Sequence, residues 1–384
     1  MRKLVIFVFS VGMLLTALYP LSAQDSGNTP KIVGVDIYQR AAQAFTDKKF
    51  DQAVSDFSLV ILLNPTFTDP YLQRALSYIE LKKFDEALVD LNHLIKQQST
   101  DTASKSQAYT ARAEIFRDQN DIAAAVADFS AAIRLAPDGA QPYYERGQLY
   151  IAQAEYDKAF KDMTQVASIA PKFATTYYYL GVLNNEAKQY ADAITNFNTY
   201  ITATPDDYQA YAGRANAYIQ QEQYQKALPD LNQAIKLESR AAGLYLQRGL
   251  VQQKLGDEQA SATDYLEWIR ANLTDQKNNL TIRAGESQVL PMGPGMVYIL
   301  AFDGHAGQKI TISTSSPANE QIDSLLILAD DNLKPLTADD DSAGNMNAII
   351  KNFVIPTDGS YSVILSHAGG NPQGPVRLSL SVDD

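Results

Sequence analysis

The chain has 384 residues, no cysteine, and 32 Lys and Arg against 44 Asp and Glu, for a formal net charge of −12. Without cysteine there are no disulfide staples, thiolate metal sites, cysteine nucleophiles or cysteine-linked lipid anchors. So acidic a surface repels phosphate backbones, which argues against nucleic acid as a partner, and the length suggests about two domains.

At the N-terminus, Arg2 and Lys3 precede the apolar run Leu4 to Leu18, and small residues stand at Ser22 and Ala23. Residues 1–23 therefore read as a secretory signal peptide cut before Gln24, because the run falls short of the ~20 residues a membrane span needs. An uncleaved anchor is the alternative. Cleavage removes two positive charges, taking −12 to −14. It leaves no integral span and implies the periplasm, cell envelope or exterior. Residues 24–33 read as a linker.

Tyr109, Tyr143, Tyr177, Tyr211 and Tyr245 succeed one another at intervals of 34 residues, and Ala125, Ala159, Ala193 and Ala227 keep the same spacing, as do Pro137, Pro171 and Pro205. A fixed period of that size marks stacked supersecondary units. Seven units result over residues 34–273, starting near Gly34, Thr68, Ser106, Ala140, Ala174, Tyr208 and Ala242, with extra residues around Thr100 to Lys105. Each has two runs of apolar residues at helical spacing with a polar turn between, hence a helical hairpin. Small residues such as Gly147 and Ala159 allow close helix approach, and the closing proline ends the second helix.

On these columns the segment resembles tetratricopeptide repeat proteins. It departs from them where Tyr replaces the usual Trp at the fourth position, and where Ser99 and Ser239 replace the closing Pro. The resemblance implies a superhelical solenoid whose first helices line a concave groove for a protein or peptide ligand. Its groove positions fall here on Tyr144, Gln148, Tyr178, Val182, Asn185, Ala212 and Asn216. Packing between repeats is the competing reading for Tyr144, Tyr178 and Tyr179. Lys and Asn, which grip a C-terminal carboxylate in some members, are replaced by Tyr144 and Gln148, or by Tyr178 and Val182, so that clamp is absent.

Arg40, Arg74, Arg112, Arg146, Arg214 and Arg248 occupy the seventh position of their units, and Asp56, Asp90, Asp128, Asp162, Asp230 and Asp264 the twenty-third. The fifth unit has Leu180 and Asn196 instead, so Arg and Asp are kept or lost together. Structural ion pairs between the two helices of a unit, or across adjacent units, are expected. The last unit is atypical, with Glu258, Ser261 and the only tryptophan, Trp268, as suits a terminal repeat. Trp268 is expected to dock on the C-terminal domain.

After a polar linker at 274–279, short alternating runs punctuated by Gly, Pro, Asn and Asp predict an all-β sandwich over 280–384. They include Val297 to Phe302, Lys309 to Thr314, Leu325 to Leu328, Ile349 to Ile355, Tyr361 to Leu365 and Val376 to Val382. The stretches Tyr298 to Thr311, Asp323-Ser324-Leu325, Asp339-Asp340-Asp341 and Pro356 to Tyr361 resemble the bacterial pre-peptidase C-terminal domain. That resemblance implies a jelly-roll-like sandwich appended to exported proteins. The fold class is thus an α + β multidomain chain, an all-α solenoid followed by an all-β sandwich.

Asp330, Asp331 and Asp339 to Asp341 are candidate calcium ligands, but EF-hand spacing is missing and a solvated acidic turn is the preferred reading. No cofactor or metal motif, nucleophile elbow or phosphate loop occurs, and His93, His305 and His367 read as structural. The expectation is a non-catalytic interaction scaffold; the alternative is an adhesion protein whose sandwich binds polysaccharide, with the repeats as a spacer.

Overall fold

The computed structural model describes residues 34–272, 277–294, 296–317, 322–340, 342, 346–368 and 373–383. The expected signal segment at 1–23 and linker at 24–33 lie outside the described residues. Two compact units divide at Lys172 and Phe173.

The first unit holds eight helices: α1 (Val35–Thr46), α2 (Phe50–Leu63), α3 (Asp69–Glu80), α4 (Phe84–Lys96), α5 (Thr102–Asp118), α6 (Ile122–Leu135), α7 (Ala140–Ala152) and α8 (Tyr156–Ile169). The second holds α9 (Thr175–Glu186), α10 (Tyr190–Ala203), α11 (Tyr208–Gln220), α12 (Tyr224–Leu237), α13 (Ala242–Lys254) and α14 (Glu258–Asn272). They form seven successive hairpins. In the third hairpin, α5 begins at Thr102, ahead of the expected Ser106, because Asp101 caps it by accepting from the Ser104 amide at 2.9 Å. The extra residues thus become an added helical turn.

Every hairpin turns in the same way. The first helix ends on a left-handed residue: Lys48, Lys82, Asn120, Ala154, Lys188, Glu222 or Gly256. The next amide then reaches back five residues, as from Glu155 N to Tyr150 O at 2.8 Å. This closure satisfies carbonyls the helix leaves open. Close approach of the two helices needs missing side chains, since a Cβ on Gly147 would stand 2.9 Å from Met163 Cε.

The second unit continues into nine strands: β1 (Lys277–Thr281), β2 (Ser287–Met292), β3 (Val297–Gly304), β4 (Lys309–Ser315), β5 (Ser324–Ala329), β6 (Pro335–Asp339), β7 (Ile349–Val354), β8 (Gly359–His367) and β9 (Gly374–Asp383). One sheet runs β1-β3-β8-β5-β6 and the other β2-β9-β4-β7. Their facing side chains, among them Leu300, Leu326, Val363, Ile312, Val376 and Leu378, form one buried cluster.

Residues 277–279, expected as linker, are strand. They pair in parallel with β3 from Lys277 opposite Val297, and an edge strand held by backbone bonds needs no apolar side chains.

Residues of β5 are buried on both faces. Leu326 and Leu328 point into the inter-sheet core. Leu325, Ile327 and Ala329 pack with Ala262, Tyr265, Leu266 and Ile269 of α14. This explains the unbroken apolar run there. Trp268 is half-buried against the same cluster and meets His367 edge-on at 6.0 Å.

Asp339 and Asp340 are not a solvated turn. Both are buried. Asp339 accepts from Gln253 Nε2 at 2.9 Å and from the Ile349 amide at 2.8 Å, and Asp340 accepts from the Tyr265 hydroxyl at 3.1 Å. Polar partners on α13 and α14 make that burial tolerable. Thr337 adds a bond to Glu258 at 3.0 Å.

Candidate functional site

The first helix of each hairpin carries both the charged residues of the repeat and its expected contact positions. In six hairpins the arginine donates Nε and Nη2 to the two carboxylate oxygens of the aspartate sixteen residues on, at 2.5–2.8 Å. Both partners belong to one hairpin, so each fork ties its first helix to its second. The aspartates are buried, whereas all the arginines but Arg40 are largely covered. A planar, bidentate pair suits such a site.

The remaining guanidinium nitrogen reaches the preceding hairpin. Nη1 of Arg74, Arg112, Arg146, Arg214 and Arg248 donates to Ser58, Asn92, Ser130, Asn198 and Asn232, at 2.5–2.9 Å. The same five guanidinium groups lie 5.4–5.9 Å from the ring centre of the tyrosine three residues earlier, a cation–π contact. One side chain thus joins two helices and two repeats.

Sequence reasoning missed this twenty-fifth position, although the signal was there. It reads Ser58, Asn92, Ser130, Thr164, Asn198 and Asn232, then switches to Leu266 in the last hairpin, which no further arginine succeeds. Leu266 packs on the β region instead.

The expected contact residues divide. Tyr144 is only 3% exposed, so it is core and offers no surface, because α7 turns its ring into the repeat stack. Gln148 is half-buried on the same helix. Tyr178 packs 5.3 Å from Tyr200 and 5.5 Å from Tyr179, and Val182 lies in the same cluster. Their contact area is thus largely taken up within the chain. Asn185 donates to Gly213 O at 2.9 Å and so bridges α9 to α11. Ala212 joins the Leu231 cluster, and Asn216 is half-buried. Gln148, Asn185 and Asn216 are the expected amide positions, and all three are half-buried and not core.

A charged cluster on α5 and α7 was not foreseen. Arg117 Nη1 donates to Glu145 Oε2 at 2.6 Å, Arg117 Nε donates to Asp118 Oδ1 at 3.1 Å, and Gln141 Nε2 donates to Glu114 Oε1 at 2.9 Å. Burial, reinforced by the neighbouring Glu145 carboxylate, pushes Glu114 up to about 7. Glu145 stands where the other units have Gln39, Gln73, Ala111, Tyr179, Gly213 and Gln247.

Among the described residues, no group of three or more His, Asp or Glu is placed to hold a metal ion. Nor is any helix long and apolar enough to cross a membrane.

The repeats match two family models, one described as TPR repeat over residues 113–154 and 215–256, the other as tetratricopeptide repeat over 143–208. The chain therefore carries tetratricopeptide repeats, a class of protein–protein interaction module.

Similar solved structures include the C-terminal part of a TPR repeat-containing protein from Cytophaga hutchinsonii. It has 18% identity over 61% of this chain and 95% of that one, with a TM-score of 0.48. MamA from Desulfovibrio magneticus has 19% identity over 44% and 94%, with a TM-score of 0.42. YrrB, a TPR protein described as having an unusual peptide-binding site, has 15% identity over 47% of this chain and 91% of that one, with a TM-score of 0.43. No curated protein matches the chain.

Proposed function

We propose that the protein is an exported, non-catalytic scaffold that holds a protein or peptide partner on the first helices of its repeats. The observation that carries this reading is the division of labour along those helices. Arg and Asp are committed to one another inside the stack, while other polar positions of the first helices, such as Asn216 of α11, are half-buried and not core. Export rests on the N-terminal pattern of Arg2, Lys3 and the Leu4 to Leu18 run. The β region, resembling a pre-peptidase C-terminal domain with a jelly-roll-like sandwich, serves in this reading to close the repeat array at α14.

One observation favours the second reading, a β region that binds a polysaccharide. A shallow cavity of about 270 Å³ opens on the second sheet, lined by Val289, Ser315, Ser316, Pro317, Pro375 and Arg377. Crosslinking the full chain in envelope extract separates the two. Gln148→Lys or Asn216→Lys abolishes partner capture at unchanged melting temperature if the scaffold reading holds, and Arg377→Glu leaves it intact. The opposite pattern favours the β region.

A further inference from the structure

Three charged side chains meet where the third hairpin adjoins the fourth, at positions that are uncharged in every other repeat. Glu114 stands at the ninth position of its hairpin, where the other six have Ala42, Leu76, Gln148, Val182, Asn216 and Leu250. Arg117, at the twelfth, replaces Phe45, Ile79, Ile151, Asn185, Ile219 and Gln253. Glu145 meets Arg117 from the sixth position of the fourth hairpin. The ninth position is the column of Gln148, Val182 and Asn216, so Glu114 belongs to the surface on which the first helices were expected to meet a partner.

Two polar links run here between α5 and α7. Arg117 Nη1 donates to Glu145 Oε2 at 2.6 Å, and Gln141 Nε2 donates to Glu114 Oε1 at 2.9 Å. The other guanidinium nitrogens turn elsewhere, since Nε and Nη2 each donate to Asp118 Oδ1 at 3.1 Å. Glu145 is buried and receives a cation, whereas Glu114 is half-buried and receives an uncharged amide. One guanidinium thus stands among three carboxylates. The other helices packed on α5 do not redress the balance. Those of the second hairpin, α3 and α4, meet it through an apolar cluster that includes Leu72, Leu91, Ala111 and Ile115, and Asp128 of α6 is taken by Arg112. A proton on Glu114 removes the unbalanced charge. Without it, carboxylates from α5 and α7 share a half-buried space, which favours separation of the helices and entry of water. Burial and the Glu145 carboxylate place that exchange near pH 7.

We propose that Glu114, Arg117 and Glu145 form a protonation-controlled latch between α5 and α7, shut while Glu114 holds a proton and slackened when it gives the proton up. The shut form belongs to mildly acidic surroundings and the slack form to mildly alkaline ones. Asp118, whose side chain is 44% exposed, opens the cluster to water and gives the proton a path. On the scaffold reading, a partner lying over α5 and α7 is gripped differently on either side of neutrality; the latch itself does not depend on that reading.

The chain has no cysteine, so spin labels on Gln119→Cys and Gln153→Cys, exposed residues just past α5 and α7, report the spacing of those two helices alone. Pulsed electron resonance on the full chain from pH 5 to 8 should show the distance lengthen and broaden with a midpoint near 7. Glu114→Gln should hold the short, narrow distance throughout. Glu145→Gln should move the midpoint down by about one pH unit, by removing the like charge. A distance that ignores pH, or that changes equally in Glu114→Gln, overturns the latch, and so does a midpoint that Glu145→Gln leaves in place. A second measurement needs neither labels nor substitutions. Amide exchange in α5 and α7, corrected for intrinsic rate, should rise across the same range relative to α11; parallel behaviour of the three helices contradicts the latch. Neither readout involves a partner, so failure of the latch leaves the scaffold reading standing, and failure to capture a partner leaves the latch standing.

Discussion

The fourth and fifth hairpins close in opposite ways. In the fourth, Arg146 forks onto Asp162 across α7 and α8. In the fifth, Leu180 and Asn196 stand at those positions, and Leu180 is buried. Phe197 is buried at the next position, as Phe57 and Phe129 are in the forked first and third hairpins. A Cβ on Gly181 would come within 2.8 Å of its ring, and one on Gly213 of the next hairpin within 2.4 Å. The fourth unit adds a charge-assisted fork to its apolar packing, whereas the fifth closes on apolar packing alone, with Phe197 between two glycines. The same backbone therefore accepts either solution, provided each is complete. Half of the first solution is the costly state, since a buried carboxylate without its partner stays desolvated.

Five substitutions probe that contrast and the packing around it, taken from the largest expected effect down. Arg74→Leu strips Asp90 of both guanidinium bonds while leaving it buried. Urea unfolding should register a loss of about 3 kcal/mol. Gly213→Ala drives a methyl group into Phe197 and should cost about 2 kcal/mol. Phe197→Leu in the same chain should return part of that loss, because the ring is the obstacle.

Glu114→Gln tests the charged cluster through pH. Glu114 is raised when folded, to about 7, so its contribution is fully present below the unfolded carboxylate value near 4.5 and is lost as pH rises through 7. The natural chain should lose on the order of 1–2 kcal/mol between pH 5 and 8 that the Gln variant keeps. Parallel melting curves across that range would refute the assignment.

Smallest is Ala154→Gly at a left-handed turn position. It should raise stability by about 0.5–1 kcal/mol, since glycine adopts that conformation without the Cβ penalty.

The repeat register was legible in the sequence because its signals are local and periodic: a tyrosine every 34 residues, and Arg and Asp lost together in the fifth unit. The Ser and Asn that receive Nη1 were equally periodic, but short polar residues on a second helix read as solvated. What escaped was non-local. Asp339 and Asp340 look like a surface turn until Gln253 and Tyr265, 86 and 75 residues away, are brought to them.

Three strands were also missed. The Lys277–Thr281 and Pro335–Asp339 strands are rich in residues that strands disfavour, and Ser287–Met292 contains Pro291. They are placed by pairing with partners the local pattern does not contain. Tyr144 was put in the groove because transferring a family position says nothing of how far the helix is rotated into its neighbours.

The central claim, that each Arg and Asp act as one unit inside the stack, is tested most directly by a double-mutant cycle on Arg146 and Asp162 using the fifth unit's own residues. Arg146→Leu, Asp162→Asn and the double variant are compared with the natural chain by urea unfolding. The account predicts that the double variant is more stable than Arg146→Leu alone, with a coupling of about 2 kcal/mol. Losses that simply add would contradict it.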